Sequence, residues 1–231
     1  MGLRVPFFVI NPKSYLYGEE LLDLAKYADK KAKEYDVDIL FTAPFIELKT
    51  IVDNTKYLTV TAQHMDSIPP GRGMGKIVGE MLKNIGVKAT FLNHVEHKID
   101  DEEELEKVIK KCKELGIQSV VCANSVEDAK KVAGLGADII ICEPDELVGT
   151  GQTSSADYMI ATNNTIKEVN PQVLQAAGIS TPEDVYKAIY LGADSTGGTS
   201  GIIKANDPKK TIDDMLKSML KAYADRSNGY K

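Results

Sequence analysis

Short apolar or β-branched runs alternate with longer amphipathic stretches from one end of the chain to the other. The runs cover positions 7–10, 39–42, 58–62, 90–92, 119–122, 139–142, 173–174 and, with poor strand character, 195–198. The first seven are short and continuous, as expected of parallel strands covered on both faces; half-exposed strands would alternate. Helical patterns lie between them. Positions 19–34 carry Leu21, Leu22, Ala25 and Ala28 on one face, and positions 101–115 carry Leu105, Val108, Ile109 and Cys112 at the same spacing. Cap chemistry marks several starts: Ser125 ahead of Asp128, Thr181 ahead of Pro182 and Asp184, and Asp207 ahead of Pro208.

Eight βα units in series predict an α/β fold of one kind, a single-domain (β/α)8 barrel. An open doubly wound sheet has fewer strands and a glycine-rich turn after the first; here the first run is followed by Asn11-Pro12-Lys13. An internal likeness favours the barrel. Ser125-x-Glu127-Asp128-Ala129 with Leu135-Gly136-Ala137-Asp138 resembles Thr181-x-Glu183-Asp184-Val185 with Leu191-Gly192-Ala193-Asp194, two βα units later. Two unrelated helices with similar caps and glycine stops are the alternative. The expected domain is 1–224, with 225–231 a polar tail that frays.

Composition narrows the classes of function. The 231 residues are 43% hydrophobic and 27% charged, with net charge −6, which argues against nucleic acid and anionic membranes as partners. No apolar run reaches membrane-spanning length and no export signal is visible, so a cytoplasmic location is expected. The three cysteines, Cys112, Cys122 and Cys142, form no C-x-x-C pair and fit a reducing compartment. Neither cofactor nor metal is expected. His94-x-Glu96 lacks the P-C-x-x-C that a zinc deaminase needs, and the acidic run from Asp100 to Glu104 reads as the first turn of a helix, favoured by its dipole.

A barrel of this type carries its chemistry where the strands end at their carboxyl termini. Asn11 and Lys13 follow the first run, Gln63 and His64 the third, His94 and Glu96 the fourth, and Glu143-Pro144 the sixth. A cation, an imidazole and a carboxylate thus converge on one mouth. Asn11-x-Lys13, Asn93-His94-x-Glu96 and Glu143-Pro-x-Glu-x-x-Gly149-Thr-Gly151 together resemble the triosephosphate isomerases, in particular the short archaeal-type enzymes. Ala62-Gln63-His64, Gly178-Ile179-Ser180 and Ser200-Gly201 fall where that family has similar segments.

The resemblance implies an isomerase interconverting glyceraldehyde 3-phosphate and dihydroxyacetone phosphate. It implies Glu143 as base, His94 as neutral electrophile held so by the N-terminus of the helix after strand four, and Lys13 with Asn11 facing the enediolate charge. Glu96 would support the site from behind, and 144–150 would form a lid. Phosphate would rest on amides of Gly149, Gly178, Thr199 and Ser200. Loop three, from Met65 to Gly75, would insert beside a neighbouring subunit's site to give a homodimer or homotetramer. The chain departs from the family at Gln175-Ala176-Ala177-Gly178, at Thr196-Gly197-Gly198, and at Val95 and Met74, where the family has Ser and Thr. The glycines of the last strand are expected to weaken it and to open volume beneath the phosphate loop. Two alternatives follow: a paralogue isomerising a tetrulose phosphate, or a barrel that binds a phosphosugar without turnover.

Overall fold

The computed structural model describes residues 2–169 and 171–229. Eight parallel strands close on themselves in sequence order: β1 (Phe7–Ile10), β2 (Ile39–Ala43), β3 (Leu58–Ala62), β4 (Ala89–Leu92), β5 (Gln118–Ala123), β6 (Ile139–Cys142), β7 (Gln172–Gln175) and β8 (Ser195–Gly198). The helices between them are α1 (Gly18–Tyr35), α2 (Leu48–Asn54), α3 (Gly79–Ile85), α4 (Glu102–Leu115), α5 (Val126–Gly134), α6 (Ala156–Lys167), α7 (Pro182–Tyr190), the short α8 (Ser200–Ile203) and α9 (Pro208–Ser227). This is the expected (β/α)8 barrel.

Alternation along each strand separates two cores. Phe7, Val9, Leu40, Phe91, Ile141 and Leu174 fill the barrel interior. Their neighbours, such as Phe8, Ile10, Phe41 and Ile140, pack outward against the helices. Both faces are apolar, so the runs look continuous in sequence. The cap signals hold: Ser125 Oγ accepts from Asp128 N at 3.0 Å, Thr181 and Asp184 form a reciprocal capping box, and Asp207 Oδ1 accepts from Lys210 N at 2.9 Å.

The internal likeness has a physical basis. Asp138 and Asp194, which close the two similar segments, each sit just ahead of a strand and tether the strand before it. Asp138 Oδ2 accepts from Ser119 N at 2.9 Å, and Asp194 Oδ2 accepts from Val173 N at 3.0 Å.

Two expectations are revised. The last helix runs three residues beyond position 224, because Arg226 Nη1 donates to the carbonyls of Ile189 (2.7 Å) and Ala193 (2.8 Å), and Tyr186 Oη donates to Asp225 Oδ2 at 2.8 Å. Of the expected tail, Tyr230 and Lys231 lie outside the described residues. The glycines of β8 do not hollow out the barrel. A Cβ on Gly197 would lie 2.0 Å from the Val9 carbonyl oxygen, and one on Gly198 would lie 2.9 Å from that of Ile179. The space beside each glycine is already occupied by backbone. β8 pairs along its full length with β1, in register from Phe7–Ser195 to Ile10–Gly198.

Candidate active site

The backbone first sets where the charged side chains can point. Lys13 has φ 48°, a left-handed conformation uncommon outside glycine. It is held there by Asn11, whose Oδ1 accepts from Lys13 N at 3.0 Å, while Gln63 Nε2 donates to Lys13 O at 2.9 Å. Lys13 Nζ then reaches Glu96 Oε1 at 2.8 Å.

Past β4 the chain makes a tight loop fastened by Asn93, itself at φ 58°. Asn93 Nδ2 donates to Cys122 O at 3.2 Å, and Asn93 Oδ1 accepts from Ile99 N at 3.1 Å. His94 stands on this loop. Its Nδ1 accepts from Glu96 N at 3.1 Å, which leaves Nε2 to carry the proton of the neutral ring. Burial pushes the His94 pKa below the ordinary imidazole value, and the charge of Lys13 pushes it the same way. The amide that fixes the tautomer therefore belongs to the turn after β4. The N-terminus of the following helix was expected to keep His94 neutral; α4 begins only at Glu102, and the lowering of the His94 pKa comes first from burial and then from Lys13.

Glu143 is the first residue past β6, its N–H donating to Ala123 O at 3.0 Å. Its Oε2 lies 3.9 Å from His94 Nε2, and its Oε1 accepts from Ala177 N at 3.0 Å. Burial raises the Glu143 pKa above the usual carboxylate range, against the opposing pull of Lys13 and the Ala177 amide. Two neighbouring titratable groups are thus displaced, the imidazole toward its neutral form and the carboxyl toward a stronger base. Burial alone would raise Glu96, but its hydrogen bond to Lys13 together with the charges of Lys13 and His94 holds its pKa low.

The opposite rim is made of backbone. Gly149 and Gly151 stand at φ 78° and 76° in the segment that follows a single 3-10 turn, Asp145–Leu147. Gly178, at φ 63°, would place a Cβ 2.2 Å from Gln152 O, and Gly201 would place one 2.4 Å from Ser180 Cα. Asn11, Lys13, His94, Glu143, Gly149, Gly178, Thr199 and Ser200 all line one cleft at the carboxyl ends of the strands. Glu96 lies behind it, in an adjoining cavity with Gln63 and His64. His64 does not enter the mouth; its ring packs against that of His97 with centroids 4.1 Å apart.

The family model of triosephosphate isomerase matches residues 6–182. The triosephosphate isomerase of Methanocaldococcus jannaschii is 38% identical over 216 residues, covering 90% of this chain and 98% of its own. That of Sulfolobus acidocaldarius is 36% identical over 230 residues, covering 97% and 99%. That of Sulfurisphaera tokodaii is 38% identical over 229 residues, covering 95% and 98%. The chain belongs to the triosephosphate isomerase family.

One contact that reading the sequence missed stands out within this triosephosphate isomerase fold. The Ala177 N–H holds the Glu143 carboxylate, at a non-glycine residue with φ 70°. A backbone donor has no residue identity to announce it. The only available signal was position, one residue ahead of Gly178.

Proposed function

We infer that the chain interconverts glyceraldehyde 3-phosphate and dihydroxyacetone phosphate, with Glu143 as the base. The observation that carries this is the Glu143–His94 pair, 3.9 Å apart, with the carboxylate made more basic and the imidazole kept neutral beside Lys13. Triosephosphate isomerase is itself the standard illustration of this division of labour. Glu143 takes the proton from the carbon next to the substrate carbonyl, and the electron pair moves onto the carbonyl oxygen. His94 Nε2–H donates to that oxygen and passes a proton between the two oxygens of the enediol. Lys13, with Asn11 beside it, faces the developing negative charge. Return of the proton to the neighbouring carbon completes the exchange of aldehyde and ketone. Backbone amides of Gly149, Gly178, Thr199 and Ser200 take the phosphate, and the lid 144–150 closes over the intermediate.

A coupled assay with each triose phosphate, run beside tetrulose phosphates, tests the reading. Turnover of the trioses with at least tenfold lower kcat/KM for tetruloses is expected. The reverse preference moves the function to the four-carbon substrate. Turnover of neither makes the chain a binding barrel.

We further propose a homodimer or homotetramer in the cytoplasm, assembled through loop three, 65–75. Asp66 fastens the base of this loop, its Oδ2 accepting from Ile77 N at 2.7 Å, and Met74 at its tip is fully exposed. Sedimentation at micromolar concentration is expected to give a multiple of the 25.2 kDa chain mass, and Met74→Asp to shift it toward monomer. A fully active monomer would rule the interface out.

A further inference from the structure

The acidic side chain just past the base is tied to two other loops. Asp145, two residues beyond Glu143, receives Lys98 Nζ at 3.0 Å on Oδ2, and Asn124 Nδ2 donates to the same oxygen at 3.4 Å. Lys98 comes from the loop that carries His94, and Asn124 is the first residue after β5. Asn124 is in turn held by Asp128, whose Oδ2 accepts from its N–H at 3.1 Å. Pro144 stands between Glu143 and Asp145 with φ −57°, so the link between base and tether has little freedom to rotate. Asp145 also opens the 3-10 turn of the lid, with Leu147 N donating to Pro144 O at 2.9 Å.

We propose that Lys98 and Asn124 are positioning residues that act through Asp145 to hold the Glu143 backbone and the first turn of the lid at a fixed distance from His94. The inference rests on the reading of Glu143 as base. The tether contributes little to global stability, because an ion pair whose side chains are 30% and 34% exposed is largely screened. Its effect is geometric. Glu143 is fastened on its N-terminal side by Ala123 O, and the Asp145 tether is the matching restraint on its C-terminal side. A misplacement of about 1 Å in a reacting group costs up to about 10²-fold in rate. The pair also leaves an electrostatic signature. Asp145 raises the Glu143 pKa, while Lys98 lowers that of His94. The other charged or titratable groups facing Glu143 are Lys13, His94 and Glu96, with Cys122 and Tyr158 affected by it from the barrel interior and α6.

Steady-state kinetics across pH on Lys98→Met, Lys98→Arg, Asp145→Asn and Glu143→Gln decide the matter. Lys98→Met and Asp145→Asn are each expected to lower kcat by about three- to tenfold with KM within about twofold, a modest share of what misalignment can cost, and Lys98→Arg to recover most of it. The acid limb of kcat/KM is expected to move to higher pH in Lys98→Met, where Asp145 is left unbalanced, and to lower pH in Asp145→Asn. A purely structural role would give no such opposed shifts. Should Lys98→Met fold poorly by circular dichroism, the isosteric Asp145→Asn carries the test alone. Unchanged kcat in Asp145→Asn, or an acid limb that does not move down, overturns the proposal. If Glu143→Gln is inactive while the Lys98 and Asp145 variants behave as wild type, only the tether falls. If Glu143→Gln keeps full activity, the base assignment fails and the tether with it.

Discussion

Where β1, β4 and β6 end, the mouth presents side chains: Lys13 and His94 on turns that fix their backbone, and Glu143 held by its own N–H to Ala123 O. Where β7 and β8 end, it presents main chain, and its glycines are there because another strand or loop already occupies the position of a side chain. A Cβ at Gly178 or Gly197 would fall within 2.2 Å or 2.0 Å of a carbonyl oxygen, whereas left-handed Lys13 and Asn93 carry full side chains, as does Ala177 beside Gly178. The two sides differ in what a substitution destroys. On the proposed reading, a substitution on the first side removes chemistry and leaves the fold. On the second, the fold itself is strained before any chemistry is reached.

The largest effect expected from this contrast is in Glu143→Gln. General-base catalysis contributes about 10²- to 10⁴-fold, so kcat should fall by that range while binding of an enediolate-mimicking anion is nearly unchanged. A loss below tenfold would remove Glu143 from the role. On the other side, Gly197→Ala should leave the chemical groups in place and damage the barrel seam between β1 and β8. Overpacking costs about 1–3 kcal/mol and occasionally more, and the obstructing Val9 backbone cannot move aside without breaking strand pairing, so the upper end or beyond is expected. A urea midpoint equal to that of the wild type would contradict the view that the seam is closed by backbone contact.

The two sides also differ in how far residue identity announced them. The seven apolar strands, the caps and the order Lys13, His94, Glu143 were legible because apolar runs and charged side chains state their purpose by type. β8 was barely legible. Its inward position needs Gly197 for close approach, and Thr196 faces a buried carbonyl, donating from Oγ1 to Gln175 O at 2.8 Å, so neither residue contributes to an apolar pattern. The amides of Glu96 and Ala177, which set the His94 tautomer and hold Glu143, could not be foreseen, since every residue but proline offers one. The Lys98–Asp145 contact joins positions 47 residues apart and exists only once β4 and β6 stand in one barrel.

Next in size is the response of stability to pH. The folded Glu143 pKa is raised by burial, so the folded state resists ionising this group more than the unfolded state does. Stability from this group is therefore fully present below the unfolded carboxylate pKa and is lost as pH rises through the raised folded value. Glu143→Gln removes that cost. Its melting temperature is expected to match the wild type in acid and to exceed it increasingly toward neutral pH. Equal melting temperatures at all pH values would mean that the site charges without penalty.

The smallest effect, and the finest test of the comparison, is expected in Gly149→Ala. Gly149 has φ 78°, as unfavourable for alanine as the conformation at Gly178, yet nothing lies within 4 Å of the Cβ it would gain. The added methyl meets no backbone, so the cost is confined to the left-handed conformation, about 1–2 kcal/mol. Gly149 lines the cleft, in the segment proposed as the lid. It lies outside the eight strands, so the urea midpoint should move far less than in Gly197→Ala. The penalty should instead surface in catalysis, as a drop in kcat/KM of about five- to thirtyfold, the same free energy expressed as a rate ratio. If Gly149→Ala lowers the urea midpoint as much as Gly197→Ala does, then glycine on this side is needed for its left-handed conformation alone. Close approach of backbone would then no longer distinguish the β8 seam from the lid.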